Sequence, residues 1–427
     1  MFDVTLIRRD RAAVEEMLAK RGETAPLDEI LALDAQRATL AGKTTSLGEE
    51  RNRLSTQIGK TPPAERPALI EKTRQIREEL KATEEQATQV EAKLRDLLLT
   101  VPNMLAADVP TGPDESGNVV VRTWGSPRDF KAEGFKPRDH VELGALLDLI
   151  DIEGAAKIAG TRTYYLKNEA VLLEFALARY AMDVLMAHGF SPVVPPVLVK
   201  EKTLWATRHF PFLRDQIYKI EGEDSYLVGT SEIPLAGLHF EDILDDKALP
   251  RFYAGFSSCF RTEVGSGGRD IRGLMRVHQF DKVEMFAYTR PEESEATLER
   301  LVGFEETIFQ GLEVPYQVVK MCSGDIGALA MKKYDIEAWK PADGVYREVT
   351  SCSNYGDFQA RGTETRYRPE AGGKPQYVHT LNGTAVAIGR ALVVLLENHQ
   401  QSDGSVVIPK ALRPYMPGGQ EAIRPRK

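Results

Sequence analysis

Two kinds of hydrophobic spacing divide the chain. Between residues 27 and 99 apolar side chains recur three and four apart, at Leu27, Ile30, Leu33, Leu40, Leu47, Leu54 and Ile58. After a proline-marked break at residues 61–67 the pattern resumes at Leu69, Ile76, Leu80, Ala87, Val90, Leu94 and Leu97. Charged residues fill the positions between. A heptad-like seam with one reversal predicts two long helices folded into an antiparallel coiled coil. Past Val101-Pro102-Asn103, a loop-rich stretch through Pro110-Thr111-Gly112-Pro113 predicts a linker. Short strand-like runs then alternate with helices, such as that over residues 170–188.

A different period marks residues 260–284. Alternate side chains of a strand share a face. Arg261 and Glu263 therefore go together, as do Arg276, His278, Phe280, Lys282 and Glu284, while Met275, Val277, Val283 and Met285 point the other way. The pattern predicts two strands joined by a glycine-rich loop longer than a hairpin needs. Arg269 and Arg272 in that loop suit a bound polyphosphate, because guanidinium groups bind phosphate bidentately. The plain alternatives are an exposed basic turn and a solvated polar strand face. Phe280, a flat ring among cations, suits a nucleobase better than solvent.

Composition narrows the field. With 427 residues, 42% of them hydrophobic, the chain can build a sizeable core and more than one domain. A formal net charge of −8 argues weakly against nucleic acid, but averaging hides local basic patches. The three cysteines, Cys259, Cys322 and Cys352, form no CxxC pair, which points to reduced thiols rather than disulfides or a zinc site. The N-terminus has no apolar core of signal-peptide length, and no apolar run approaches the ~20 residues that span a bilayer. The expectation is a cytoplasmic protein without membrane contact. Neither a Rossmann fingerprint nor a GxxxxGK[ST] loop is present, so a nucleotide would need another phosphate holder.

FRTE at 260–263, followed by GRDIRGLMRVHQFDKVE at 268–284, resembles the second signature motif of class II aminoacyl-tRNA synthetases in its seryl-tRNA synthetase form. Residues 189–198, with Pro196, resemble the first motif, a dimer-interface element, and residues 381–390, ending in Arg390, resemble the third. The segments Gly229-Thr230-Ser231-Glu232, Glu348-Val349-Thr350-Ser351 and the tail at 407–415 also match, in family order. The resemblance implies an α+β fold: an N-terminal antiparallel helical hairpin, then a catalytic domain built on an antiparallel sheet flanked by helices. Residues 1–110 would form the tRNA-binding arm, with the coiled coil at about 27–99, and residues 111–427 the catalytic domain.

It further implies a serine–tRNA ligase that activates L-serine with ATP and passes the seryl group to tRNA(Ser), with tRNA(Sec) left open. Arg261, Glu263 and Arg390 would be catalytic. Thr230, Ser231, Glu232, Arg261, Glu284 and Thr384 would bind serine. ATP would lie against Arg261, Thr262, Glu263, Val277, Phe280, Glu348, Val349, Thr350, Ser351 and Arg390, with Mg²⁺ held by Glu348 and Ser351. A homodimer is expected. The chain departs from the family pattern in three places: Thr384 stands where serine is common, Gly362 where a second arginine follows Arg361, and residues 205–211 replace a glycine-rich loop. The rivals are a class II synthetase for another small amino acid, a relative that loads a carrier protein, and a non-enzymatic coiled-coil scaffold.

Overall fold

The computed structural model describes residues 2–264, 272–369 and 373–426. The chain forms two compact units, Met1–Pro102 and Asn103–Lys427. In the first, short helices α1 (Val4–Arg9) and α2 (Arg11–Arg21) precede α3 (Leu27–Lys60) and α4 (Arg66–Thr100), which pack as an antiparallel hairpin. Leu33, Leu40, Leu47 and Leu54 of α3 are buried, as are Ile76, Leu80, Val90 and Leu94 of α4. The seam departs from the expected one at two kinds of position. Leu98 is buried where Leu97 was expected, and Thr73 and Thr83 occupy core positions. Each threonine hydroxyl donates to the carbonyl four residues back, Leu69 at 2.7 Å and Glu79 at 2.8 Å, so neither of these two hydroxyls goes unpaired. Lys43–Glu79, Lys72–Glu50 and Lys93–Glu29 pairs join the two helices in one constant antiparallel register.

The second unit is built on an eight-stranded sheet. In chain order its strands are β1 (Val119–Trp124), β2 (Ser191–Val193), β3 (Arg251–Phe260), β4 (Gln279–Thr289), β5 (Tyr316–Lys320), β6 (Lys332–Lys340), β7 (Val345–Asn354) and β8 (His379–Ala387). They lie in the order β1-β5-β6-β7-β8-β4-β3-β2. Pairing is antiparallel throughout except at the β2 edge, where β2 runs parallel to β3. Helices α5 (Glu169–Met186), α7 (Ser294–Gly311) and α8 (Ile388–His399) pack on the sheet, and the short α6 (Glu232–Ala236) lies against β3 and β4. Leu173, Leu177, Leu301, Ile308 and Leu392 from the helices meet Val283, Met285, Ile336 and Leu381 from the strands in one core. The opposite face of β4 is what the core leaves for chemistry.

The predicted hairpin is corrected at its end. The paired strands stop at Phe260 and restart at Gln279, so Arg261, Glu263, Arg276 and His278 lie in the connection and not on the strands. One last backbone bond, Arg261 N–H to His278 O at 3.0 Å, continues the pairing. Beyond it the chain is drawn aside, because Thr262 donates from its N–H to Gln216 O and from its hydroxyl to Asp215 O, and Glu263 turns to φ +54°. On the return, Gly273 at φ +99° has no room for a Cβ, which would meet His140 Nε2 at 2.0 Å. That nitrogen accepts from Leu274 N–H at 3.2 Å, while Nδ1 faces Glu397 Oε1 at 2.9 Å, so His140 carries its proton on Nδ1 and anchors the loop's exit.

Two of the departures from the family pattern meet in space. A Cβ at Gly362 would lie 2.0 Å from Ala206 O, and Gln359 Nε2 donates to Thr207 O at 3.1 Å. The buried Arg208 guanidinium stacks 4.5 Å above Phe358. The altered loop and the missing arginine therefore accommodate each other. Gly362→Ala should cost about 1–3 kcal/mol through overpacking against backbone, measured as a lowered Tm in thermal denaturation; an unchanged Tm would show that the segment shifts freely.

Candidate active site

Register along the sheet sets the first half of the site. Glu284 on β4 lies between Gly255 of β3 and Thr384 of β8. Lys282 and Glu284 share the face away from the core and are both buried, so this polar strand face is not solvated. Thr230, Ser231 and Glu232, at the start of α6, are buried beside them. Lys282 Nζ donates to Thr230 Oγ1 at 2.7 Å and pairs with Glu284 Oε2 at 2.5 Å. Glu232 accepts from Gln359 Nε2 at 2.7 Å on one oxygen and from Tyr355 OH at 3.4 Å on the other. Ser231 differs from its neighbours in being spent on the scaffold, its Oγ bonded to Ser257 Oγ at 2.7 Å.

Burial dominates the electrostatics here. It pushes Glu232 up to about 7 against the pull of Gln359 and Lys282, and Glu284 up to about 7 against Lys282. His209 Nε2 stands 3.6 Å from Glu232 Oε1, but burial pushes this imidazole down to about 3. The ring is neutral at physiological pH, and the contact is not an ion pair.

The second half lies towards the connection and β7. Arg261 Nε donates to Gly229 O at 3.2 Å, and its guanidinium sits 5.4 Å from the Phe280 ring centroid. Glu263 faces two arginines, Arg276 at 3.6 Å and Arg162 at 3.8 Å. Arg390, in the first turn of α8, donates to Glu348 Oε1 at 2.8 Å and to Met275 O at 3.3 Å. Desolvation opposes the charge on Glu348, yet Arg390 and Lys333 outweigh it and hold that carboxyl down at about 2. The Arg261 charge also favours ionised Glu232, Glu284 and Glu348, so one guanidinium reaches acids of both halves.

Some expected residues are brought together and others are not. Val349 is buried in the main core, and Thr350 donates to Glu305 Oε2 of α7 at 2.9 Å. Both side chains turn away from the site, leaving their backbone as all they can offer it. Val277 is buried, and Thr262 is engaged with Asp215. Arg272 is exposed and faces Asp139 at 3.3 Å, so its charge is already met by a carboxylate rather than reserved for phosphate. Arg269 lies outside the described residues. Lys282, His209, Tyr355, Gln359 and Arg162 had not been assigned to the site. Strand alternation could have flagged Lys282, whereas the others arrive from distant segments with no local signal.

Among the described residues no group of three or more His, Cys, Asp or Glu side chains could hold a metal by itself. The chemistry nevertheless suits a hard cation. Glu348 carries a half-exposed carboxylate, and Ser351 lies opposite Asp335, whose Oδ1 is buried without a hydrogen-bond partner. Such a site would draw its remaining oxygen ligands from phosphates and water.

An antiparallel sheet carrying a buried Glu284 paired with Lys282, and Glu348 paired with Arg390 of the following helix, fits a class II aminoacyl-tRNA synthetase. Residues 217–399 match the family described as tRNA synthetase class II core domain (G, H, P, S and T), and residues 1–105 match the seryl-tRNA synthetase N-terminal domain. The chain is 45% identical to the serine–tRNA ligase of Rubrobacter xylanophilus over 100% of both chains. It resembles the crystal structure of seryl-tRNA synthetase from Pyrococcus horikoshii complexed with ATP, with TM-score 0.93, 43% identity and 100% of each chain covered. The cytoplasmic serine–tRNA ligase from Naegleria fowleri in complex with AMP follows at TM-score 0.88 and 32% identity, covering 100% of this chain and 99% of that one. The chain belongs to the seryl-tRNA synthetase family, and its activity is serine–tRNA ligation. Rival readings as a synthetase for another amino acid or a carrier-protein ligase are not favoured.

The raised Glu232 carries a stability signature. Its folded carboxyl titrates near 7, whereas an unfolded glutamate titrates near ~4.3. Between those values the native state binds more protons, so this group's contribution is full at low pH and is lost as pH rises to about 7. Glu232→Gln should therefore raise the Tm of the substrate-free protein, and by clearly more at pH 8.5 than at pH 5. Calorimetry at the two pH values checks this, and an equal shift at both would mean the carboxyl is not desolvated.

Proposed function

We propose that the two halves form one active site in which serine and ATP meet at Arg261. The observation that carries this reading is that its guanidinium lies 5.4 Å from the Phe280 ring centroid and its charge also acts on the buried acids Glu232 and Glu284. Glu232 and the Ser231 backbone receive the serine ammonium, with Thr230, whose hydroxyl accepts from Lys282 and the Glu232 N–H, beside them. Glu284 accepts from the serine hydroxyl, with Thr384 beside it. A buried acceptor that would lose its partner gives strong selection against alanine. The methyl of Thr384 and the tight Gly255–Glu284–Thr384 register restrict size, which disfavours threonine.

Phe280 stacks on adenine, and Glu263, held by Arg162 and Arg276, meets the adenine end of ATP. Arg390 holds the terminal phosphates. The serine carboxylate attacks the α-phosphorus, a new P–O bond forms, and pyrophosphate departs with the electrons of the broken one. Arg261 bridges carboxylate and α-phosphate, lowering their mutual repulsion and fixing the line of attack. The 3′-terminal adenosine hydroxyl of tRNA(Ser) then attacks the seryl carbonyl, its proton is lost, and AMP leaves. Glu348 and Ser351 would hold Mg²⁺, which when bound neutralises charge on the phosphates. No Ser–His–Asp triad is required, because positioning and charge stabilisation carry the reaction.

Residues 1–110 act as the tRNA-binding arm and 111–427 as the catalytic domain. Arm lysines and arginines position RNA through its phosphates and do not read bases. A homodimer is supported by exposed apolar residues around the first motif: Val194 is 80% and Phe175 63% exposed, and Leu198 is also open. A cytoplasmic setting fits three free cysteines, all buried, and no helix among the described residues is long and apolar enough to cross a membrane.

Arg261→Ala should lower serine-dependent ATP–pyrophosphate exchange by about 10²-fold or more, since one group serves both reactants; near-normal exchange would reject the bridging role. Deleting residues 27–99 should preserve that exchange and abolish tRNA charging. Loss of exchange in a folded truncation would show that the arm takes part in adenylation.

A further inference from the structure

Among the described residues of the proposed serine pocket, Lys282 is a cation to which the reaction above gives no task. Taking an ammonium out of water is costly unless its donors are well met, yet this one is only 5% exposed. Its ammonium donates to Thr230 Oγ1 and forms an ion pair with Glu284 Oε2, the residues proposed for opposite ends of the substrate. Thr230 Oγ1 also accepts from the Glu232 N–H at 3.2 Å. A hydroxyl has two acceptor positions and one proton. With both positions filled, the Thr230 rotor is set and its O–H is what remains to be offered. On the other side, Lys282 supplies the nearest positive charge to Glu284, with Arg261 second. Among the described residues the other titratable groups acting on this pair are Glu232 from α6, Glu305 from α7, Cys259 from β3, Cys352 from β7, Tyr355 and the neutral His209. None of these can replace the ammonium.

We propose that Lys282 is a positioning residue for serine, tying Thr230 at the amino end of the subsite to Glu284 at the hydroxyl end and keeping Glu284 an ionised acceptor. The inference rests on the reading of this pocket as the serine site. An ion pair that served only stability would have no reason to join both ends of one substrate. Lysine also occupies the position between Phe280 and Glu284 on the same strand face, so its location is fixed by the β4 backbone that sets those two residues.

The test is ATP–pyrophosphate exchange by the full chain across pH 6–9, comparing wild type with Lys282→Met. The expected result is a KM for serine raised about tenfold or more, with the KM for ATP within about twofold. The pH profile of kcat/KM for serine should also move to higher pH, because Glu284 without its cation ionises later. A fall in kcat or Tm with the serine KM and the pH profile unmoved would overturn the proposal. If Lys282→Met does not fold, the double variant K282M/E284Q removes both charges of the buried pair, and Glu284→Gln alone is its reference. Calorimetric binding of a non-hydrolysable seryl-adenylate analogue should then be weaker for the double variant than for E284Q alone, and equal affinities would overturn the proposal. Wild-type exchange driven by another amino acid and not by serine would overturn the site reading itself, whereas serine-driven exchange indifferent to Lys282 overturns this inference alone.

Discussion

The catalytic unit is organised around the burial of Glu232 and Glu284 within reach of one lysine and one arginine. Two desolvated carboxyls so close together cannot both ionise freely, and burial drives each up to about 7. Such a pocket is incomplete without another cation. In the proposed serine site, a serine ammonium would supply that charge and its hydroxyl a donor. The site is thus built to be most comfortable when filled, at the expense of the empty protein.

Everything around those acids serves to keep them in place. Gly255 and Thr384 flank Glu284 in register, and a Cβ at Gly255 would press to 2.8 Å on Leu235. Gln359 ties Glu232 to Thr207, and Thr380 in turn donates to Gln359 Oε1 at 3.0 Å. The nucleotide half is arranged differently. There Glu348 is held ionised at about 2 by Arg390 and Lys333, so it offers a fixed negative charge rather than a titrating one. Glu284 on β4 and Glu348 on β7 thus lie in opposite protonation regimes, and the Arg261 charge acts on both.

Much of this was legible in the chain. Period-two alternation placed Lys282 and Glu284 together and put Val283 and Met285 in the core, where they are buried. Three- and four-residue spacing located both arm helices, because a coiled-coil seam repeats locally. The errors have physical causes. Arg261 and Arg276 fell outside the strands since Thr262 finds partners at Asp215 and Gln216, which no local pattern announces. Thr350 faces Glu305 because β6 and β7 slip register between Ile336 and Glu337, reversing which side chains face the helices.

The sequence alone determined the division into a helical arm and a sheet-based unit, the family motifs, and which residue types carry charge on β4. These follow from periodicity and short-range order, which a linear chain records directly. Tertiary structure decided which of those charges are buried, what neutralises them, and that His209, Gln359 and Tyr355 surround Glu232. Desolvation and long-range hydrogen bonds depend on separate segments meeting at fixed distances, Gln359 and Tyr355 lying more than a hundred residues from Glu232, and nothing in local sequence encodes that approach.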